Sequence, residues 1–319
     1  MAPVSCLEII DWKEEKCEGV NVTKPEVLSC FTRDWNGNIP IKALIEPLDD
    51  FENWRNMNDA IVKEYNFTTD RNTLSYIMNT PFEIMEDKRK WTILAKYDGD
   101  TINLKQENNT ILSETLNKHY DQLKRYLFIG NPQKLNSKTT SLFYQSIYDI
   151  IQINIGDNRV LYSAECPAVD TNEGQMNFEK FIKSERIFCD IIDINEFRLD
   201  RIQYNPFWWS KAKLSNARLG FIGVCNSVED RLQNIIKFNT DIFVDTTKYE
   251  NLWSPIAAWT FLDMFLSFVK QEFKYIKAKY RNKCLLKFTS YDNNKEAISC
   301  EPLIEKTLLD GSVCYEPLL

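Results

Sequence analysis

Val160-Leu161-Tyr162-Ser163-Ala164-Glu165-Cys166-Pro167 decides how this chain is read. Its first five residues form a short apolar run of the kind that makes a strand buried on both faces. Side chains two apart project from one face of a strand, so a Glu-x-Asp pair at this strand end offers two carboxylates to one cation. Here the second slot holds Pro167, which supplies no oxygen and removes a backbone donor. A metal site at this position is half built, with Glu165 as its one remaining ligand.

Working outward from that strand, the pattern alternates strands and helices without repeats. Residues 141–155 and 159–163 read as strands joined by the turn Gly156-Asp157-Asn158. Residues 91–97 and 101–104 make a hairpin across Asp98-Gly99-Asp100 by the Asp-Gly signal. Residues 112–126 and 199–214 are expected to be helical, and 73–78 is a short helix or strand before the turn Asn79-Thr80-Pro81. Residues 178–182, 219–224 and 285–290 are further candidate strands. Trp253-Ser254-Pro255 opens a long helix through residue 273, with Ser254 as N-cap and Pro255 at the first position. Residues 1–60 are polar and irregular and are taken as an N-terminal wrap of the same domain, anchored by Trp12, Trp35 and Trp54; residues 61–319 form the domain proper. This interleaving argues for a single mixed α/β (α+β) domain with central mixed β-sheets flanked by helices.

Composition narrows the function classes. With 319 residues, 44% hydrophobic and 13% aromatic, the chain can bury a large core. A formal net charge of -7 and a pI near 5.1 argue against coating nucleic acid through bulk charge, so any RNA contact must be local. Nine scattered cysteines and a single histidine, His119, exclude the usual zinc frameworks and fit reduced thiols. His119 is expected at the surface. No apolar run near Met1 is long enough for a signal peptide, so the Asn-x-Thr triplets at Asn21, Asn66 and Asn108 are expected to be unglycosylated. The most apolar stretch, 256–269, contains Asp263 and is too short to span a bilayer. It reads as a buried helix, and no membrane association is expected.

Several strings, taken in order, resemble the DXO-type decapping exoribonucleases and their Rai-type relatives. Thr69-Asp70-Arg71-Asn72-Thr73-Leu74 and Asn79-Thr80-Pro81-Phe82-Glu83 are similar to that family's T-x-R-G-x-L segment and T-T-P-Y-E turn. Trp91 and the hairpin at 97–104 follow at matching spacing, and the opening string looks like L-L-F-S-G-E. Pro206-Phe207-Trp208-Trp209, Leu219-Gly220-Phe221-Ile222-Gly223 and the segment 259–268 look like its later helix, strand and C-terminal core helix. The resemblance covers residues 70 to 300 and implies a DXO-like fold.

What the family does is hydrolyse RNA at defective or noncanonical 5′ ends, with Mg²⁺ or Mn²⁺ held by carboxylates and a lysine and a glutamine nearby. The cation neutralises charge developing on the phosphate and lowers the pKa of the attacking water. Carried over residue by residue, that site frays. The family's G-x-x-x-E falls across 126–134, where no carboxylate stands, and its E-x-D becomes Glu165-Cys166-Pro167. Its E-x-K falls near 178–183, where keeping either Glu179 or Lys183 puts Phe181 in the partner's slot. Its glutamine falls near Ser210 or Lys211, while Arg71, which in the family reaches RNA phosphates, is kept. Trp208-Trp209 admits base stacking but fits a core helix better, and Lys270, Lys274, Lys277, Lys279, Arg281 and Lys283 form the best local basic run.

Two functions remain. The favoured one is a catalytically inactive, Cutoff-like member of this family that needs no cofactor. The resemblance implies that such a member acts in the nucleus, with the cytoplasm also open. There it binds protein partners (RNA-processing, exoribonuclease or chromatin factors) or RNA 5′ ends, in RNA processing, small-RNA pathways, protection from decay or termination control. Arg71, Lys274, Lys277 and Lys279 are then the RNA contacts, and Glu165, Glu179 and Lys183 are remnants of the site. The alternative is a divergent active decapping hydrolase and exoribonuclease that uses Mg²⁺ or Mn²⁺ and rebuilds its metal site from Glu165, Asp170, Glu173 or Glu179.

Overall fold

In the computed structural model of the chain, the 158–166 string lies in the middle of a large sheet. The structure describes residues 5–9, 19–32, 46–47, 55, 58–82, 90–98, 100–107, 114–129, 147–170, 182–195, 205–240, 253–279, 284–291, 297–307 and 313–317. Strands and helices are numbered in chain order. The larger sheet runs β1 (Ser5–Glu8), β14 (Ala297–Thr307), β13 (Cys284–Ser290), β5 (Thr92–Asp98), β6 (Thr101–Gln106), β4 (Phe67–Asp70), β8 (Asn158–Cys166), β7 (Ile147–Ile155), β2 (Glu26–Thr32) and β3 (Glu46–Pro47). A further strand, β15 (Val313–Pro317), pairs with β14. The second sheet runs β12 (Arg231–Asn239), β11 (Ala217–Asn226), β10 (Glu185–Asp193) and β9 (Ala168–Asp170).

Five helices are described: α1 (Asp59–Val62), α2 (Arg71–Asn79), α3 (Glu114–Ile129), α4 (Pro206–Leu214) and α5 (Pro255–Lys279). One hydrophobic core joins the two sheets. It includes Phe67, Tyr162 and Phe288 from the larger sheet, Phe188, Ile222 and Phe238 from the smaller, and Trp209 and Phe265 from the helices between. Within the described part of 1–60, β1 pairs with β14 and β2 with β7, so both strands are built into the larger sheet.

Strand β8 shows why its sequence is so continuously apolar. It is parallel to β4 and antiparallel to β7, and every residue from Val160 to Ala164 is buried. On such a strand neither face is left for polar alternation. The turn that starts β8 is fixed by Gly156, whose φ of +55° favours glycine. A Cβ there would stand 2.5 Å from Asp263 Oδ1 on α5, and that same oxygen accepts a hydrogen bond from Asn158 Nδ2 at 2.9 Å. Helix α5 thus clamps the β7–β8 turn.

Helix α5 begins where its cap signal places it, with the Ala257 N–H donating to Ser254 Oγ at 3.3 Å and Pro255 first in the helix. Ala258, Phe261, Leu262, Phe265, Leu266, Val269, Phe273 and Ile276 recur at three- and four-residue spacing and are buried. Phe265 meets Trp91 and Phe288 edge-on, with centroids 5.8 Å and 5.4 Å away. The helix continues to Lys279, beyond the expected end at 273. Among the described residues no helix is long and apolar enough to cross a membrane.

Several local expectations need adjusting. The 73–78 segment is helical, because Asp70 caps α2 by accepting from Thr73 N at 2.9 Å and Thr73 Oγ1 at 2.7 Å. The candidate strand at 178–182 is not supported where it can be seen: Ile182 is helical and the strand starts at Glu185, while 178–181 lie outside the described residues. Trp12, Trp35 and Trp54 lie outside them as well. The hairpin stands as read, with Asp98 opposite Thr101. His119 is not at the surface: its ring is fully buried, with Nδ1 2.9 Å from Gln122 Oε1. Its Nε2 is 3.2 Å from Asp230 Oδ1 but lacks hydrogen-bond alignment.

Candidate functional site

Strands β4 and β8 run parallel and end side by side, Asp70 opposite Ser163, and this sets the position of the site. The chain leaves β4 directly into α2, so Arg71 falls beside Glu165, the penultimate residue of β8. The mouths of parallel strands are where α/β folds place ligands. Arg71 is only 9% exposed. Its Nη1 donates to Ser215 Oγ at 2.6 Å and to the Glu165 carbonyl at 3.3 Å, while its buried Nε has no partner. The guanidinium therefore ties the end of β8 to the C-cap of α4.

The Glu165 carboxylate is claimed by α3. Lys124 Nζ donates to Oε1 at 3.2 Å and the Tyr120 hydroxyl to Oε2 at 3.3 Å. The side chains of Lys124 and Glu165 are 18% and 20% exposed, so the pair is shielded from bulk water more than a surface bridge. Burial pulls the Lys124 pKa down, but Glu165 and Asp121 outweigh it and leave the ammonium above its usual range. Burial, and then Glu165, push the Tyr120 hydroxyl well up, so it stays a donor.

A second carboxylate reaches the same region from β10, which touches β8. Asp190 accepts from Lys211 Nζ on α4 at 3.1 Å. Burial, then Glu165 and to a smaller extent Asp190, raise the pKa values of Tyr120 and of the buried Cys189 thiol. Each of these carboxylates thus has its own lysine. Ser210, the other candidate for the glutamine position, points elsewhere: it is buried against Ser75 at 2.8 Å and Asn79 at 2.9 Å.

Nearby, Arg186 of β10 grips Asp149 of β7, with Nε to Oδ2 at 2.7 Å and Nη2 to Oδ1 at 2.9 Å. Both are almost fully buried. Burial raises the Asp149 pKa despite the guanidinium, and burial with Asp149 raises the neighbouring Cys166 thiol well above its usual value. This pair binds the smaller sheet to the larger one directly beneath Glu165, because Asp149 lies next to the Tyr148–Glu165 register pair.

The expected site residues fall as follows. Glu165 and Arg71 are brought together. Cys166 is buried at the end of β8, and Pro167 separates β8 from β9. Lys183 is exposed two residues before β10 begins. Lys274 is exposed on α5, and Lys277 and Lys279 belong to the same helix. Trp208 and Trp209 are core, and Trp209 packs on Trp253 at 5.0 Å. Residues 130–134, Glu173 and Glu179 lie outside the described residues. Lys124, Tyr120, Asp190 and the Arg186–Asp149 pair were not anticipated. Lys211 was seen only as a misfit at a glutamine position.

Among the described residues, the side chains gathered here do not fit a divalent cation. Glu165 is engaged through both oxygens, its neighbouring slot is proline, and Asp190 is neutralised by an ammonium. Among the described residues no cluster of three or more His, Cys, Asp or Glu side chains is arranged to hold a metal.

These features define the class: a two-sheet mixed α/β fold with carboxylate–lysine pairs near the ends of its parallel strands β4 and β8. The particular fold is that of the Rai1 and Dxo1 proteins. The chain is similar to Schizosaccharomyces pombe Rai1 bound to 3′-FADP, with TM-score 0.65, 14% identity, and 95% of this chain and 100% of that chain covered. It is similar to Candida albicans Rai1 in complex with pU5 and Mn²⁺, with TM-score 0.63, 11% identity, and 94% and 93% covered. It is also similar to Kluyveromyces lactis Dxo1 in complex with manganese, with TM-score 0.52, 15% identity, and 83% and 72% covered. No protein-family profile matches the chain, and no curated protein matches it in sequence.

Proposed function

We propose that this protein is a catalytically inactive relative of the Rai1/Dxo1 fold that recognises RNA 5′ ends and protein partners of RNA processing without cutting RNA. The observation that carries the reading is the pairing of each cleft carboxylate with its own ammonium, Glu165 with Lys124 and Asp190 with Lys211. A hydrolase of this kind needs those oxygens free for a cation that organises the phosphate and the attacking water. The nucleus is the proposed compartment. The competing reading, a divergent active hydrolase, draws on the manganese bound to the C. albicans and K. lactis structures.

Two separate RNA contacts are proposed: Arg71 at the ends of β4 and β8, and the basic end of α5 with Lys274, Lys277 and Lys279. Filter binding of a 5′-monophosphorylated RNA, with EDTA present throughout and salt varied, tests the reading. Binding is expected to persist in EDTA, and each phosphate contact removed should lower the log–log salt slope by about one. The variants are Arg71→Ala and the Lys274/Lys277/Lys279 triple alanine. Tight binding with unchanged slope in both removes these positions from the RNA surface. Binding that requires a divalent cation contradicts the reading itself.

A further inference from the structure

We infer that the outward side of the last turns of α5 is a track for single-stranded RNA, with one base stacked on the Tyr275 ring. This rests on the proposed RNA binding and adds to it an aromatic contact and the strandedness of the ligand. Phe273 and Ile276 are 6% and 4% exposed and hold these turns on the core, Phe273 against Tyr97 with ring centroids 5.7 Å apart. Residues three and four apart are neighbours on a helix surface, so Gln271, Lys274 and Tyr275 form one patch away from those anchors, and all three are exposed. The turn that carries Tyr275 is held by the core on one side and faces solvent on the other.

From Ser267 onward, the exposed side chains of α5 among the described residues are Ser267, Gln271, Lys274 and Tyr275, a stripe without a carboxylate. In a chain of net charge -7, such a stripe is a place where a phosphate backbone can approach. The charges nearest in sequence stand off to its sides: Glu272 is partly buried, and the Lys270 ammonium lies over the Phe67 ring, 5.7 Å from its centroid. Lysines near a helix C-terminus also offset the helix dipole, and on that ground they call for no ligand. Tyr275 has no such role, yet it is 53% exposed. The other exposed large apolar residues among those described are the aliphatic Ile61, Ile194, Val228, Ile256 and Ile304. An aromatic ring beside an ammonium suits a single strand, because the ring stacks on a base of any identity while the cation meets the phosphate. A duplex keeps its bases stacked on each other, so the ring gains nothing from it. The track is separate from Arg71: α5 passes the starts of β4 and β8, at Phe67 and the Gly156 turn, whereas Arg71 lies at their ends.

The experiment measures fluorescence anisotropy of a labelled uridine oligonucleotide of about ten residues. Its 5′ end is a hydroxyl, which offers no terminal phosphate to Arg71. An abasic strand of the same length and a duplex of the same length are the controls, with EDTA present throughout and salt varied. Wild type is expected to bind the uridine strand more tightly than either control. Tyr275→Ala should lose about tenfold in affinity for the uridine strand. Its log–log salt slope should be unchanged, because stacking releases no counterion, and it should bind the abasic strand as wild type does. Lys274→Ala should instead lower the slope by about one on both strands. Tyr275→Trp, which keeps a stacking ring, should bind at least as tightly as wild type and separates lost stacking from a disturbed helix end.

Tyr275→Ala with wild-type affinity for the uridine strand overturns the inference, as does a loss of equal size on the abasic strand. Wild type that binds the duplex as tightly as the single strand, or that binds only 5′-phosphorylated RNA, also overturns it. All of these results leave the proposed function standing. Wild type that binds no RNA in EDTA overturns both.

Discussion

Removing the Arg186 guanidinium tests how the two sheets are held together. In Arg186→Met the methionine fills most of the arginine stem, but Asp149 loses its bidentate partner while remaining 2% exposed. Leaving one member of a buried ion pair uncompensated costs about 3–5 kcal/mol. At roughly 2.1 cal/mol/K of unfolding entropy per residue, the chain of 319 residues has an unfolding entropy of about 0.7 kcal/mol/K. The expected loss of melting temperature is then roughly 4–7 °C. The pH dependence has a definite sign. Burial already raises the folded pKa of Asp149 and Arg186 lowers it, so loss of Arg186 raises it further. A carboxyl raised on folding adds stability below its unfolded value of about 3.9 and loses it as pH rises through the folded pKa. The deficit against wild type should therefore be smaller at mildly acid than at neutral pH. Asp149→Leu/Arg186→Met, which removes both charges, should recover much of the loss. Calorimetric melts of wild type, both single variants and the double variant across this pH range measure all of this. Additive losses in the double variant, or a deficit that grows toward acid pH, would refute the reasoning.

Other outcomes follow from the same structure. Gly156→Ala should destabilise the protein by about 1–3 kcal/mol, because the added Cβ combines a φ of +55° with a 2.5 Å approach to Asp263, and urea unfolding measures it. Phe265→Ala should cost about 3–5 kcal/mol in the same assay, since the ring is fully buried between Trp91 and Phe288. Lys124→Met should cost about 1–3 kcal/mol by urea unfolding near neutral pH, because it leaves the mostly buried Glu165 carboxylate without its charged partner. The Lys124 pKa is raised by its carboxylate partners, so its contribution is present below about 10.4 and is lost only as pH rises past the folded value. The difference between wild type and this variant should thus stay flat through neutral pH and shrink in strong alkali.

Much of the fold was legible because local signals agreed with the final packing. The Asp-Gly hairpin, the Ser254-Pro255 helix start and the buried run of β8 each depend on residues close in sequence. Strands β10 and β12 were missed. Residues Arg186 to Cys189 of β10 are buried without alternation, and Arg186 looks like a surface residue until Asp149 appears across the sheets. Strand β12 is largely exposed, so its sequence carries little apolar rhythm. That the second slot of the expected Glu-x-Asp pair offers no side-chain oxygen was legible in Pro167. The lysine partners of these carboxylates were not legible: Lys124 is 41 residues from Glu165 and Lys211 is 21 from Asp190, so only the fold brings them together. His119 was misplaced for the same reason, because it lies on α3 and the strands that α3 packs on, β10 to β12, come much later in the chain.

The central claim is that this cleft holds carboxylates bound to lysines and does no metal-dependent hydrolysis. It is tested most directly by incubating purified protein with 5′-triphosphate, unmethylated-cap and NAD-capped RNA in Mn²⁺ and measuring released nucleotide by chromatography. The account predicts release no greater than the buffer control with every substrate. Metal-dependent release that is abolished in Glu165→Ala would contradict it and establish the protein as an active hydrolase.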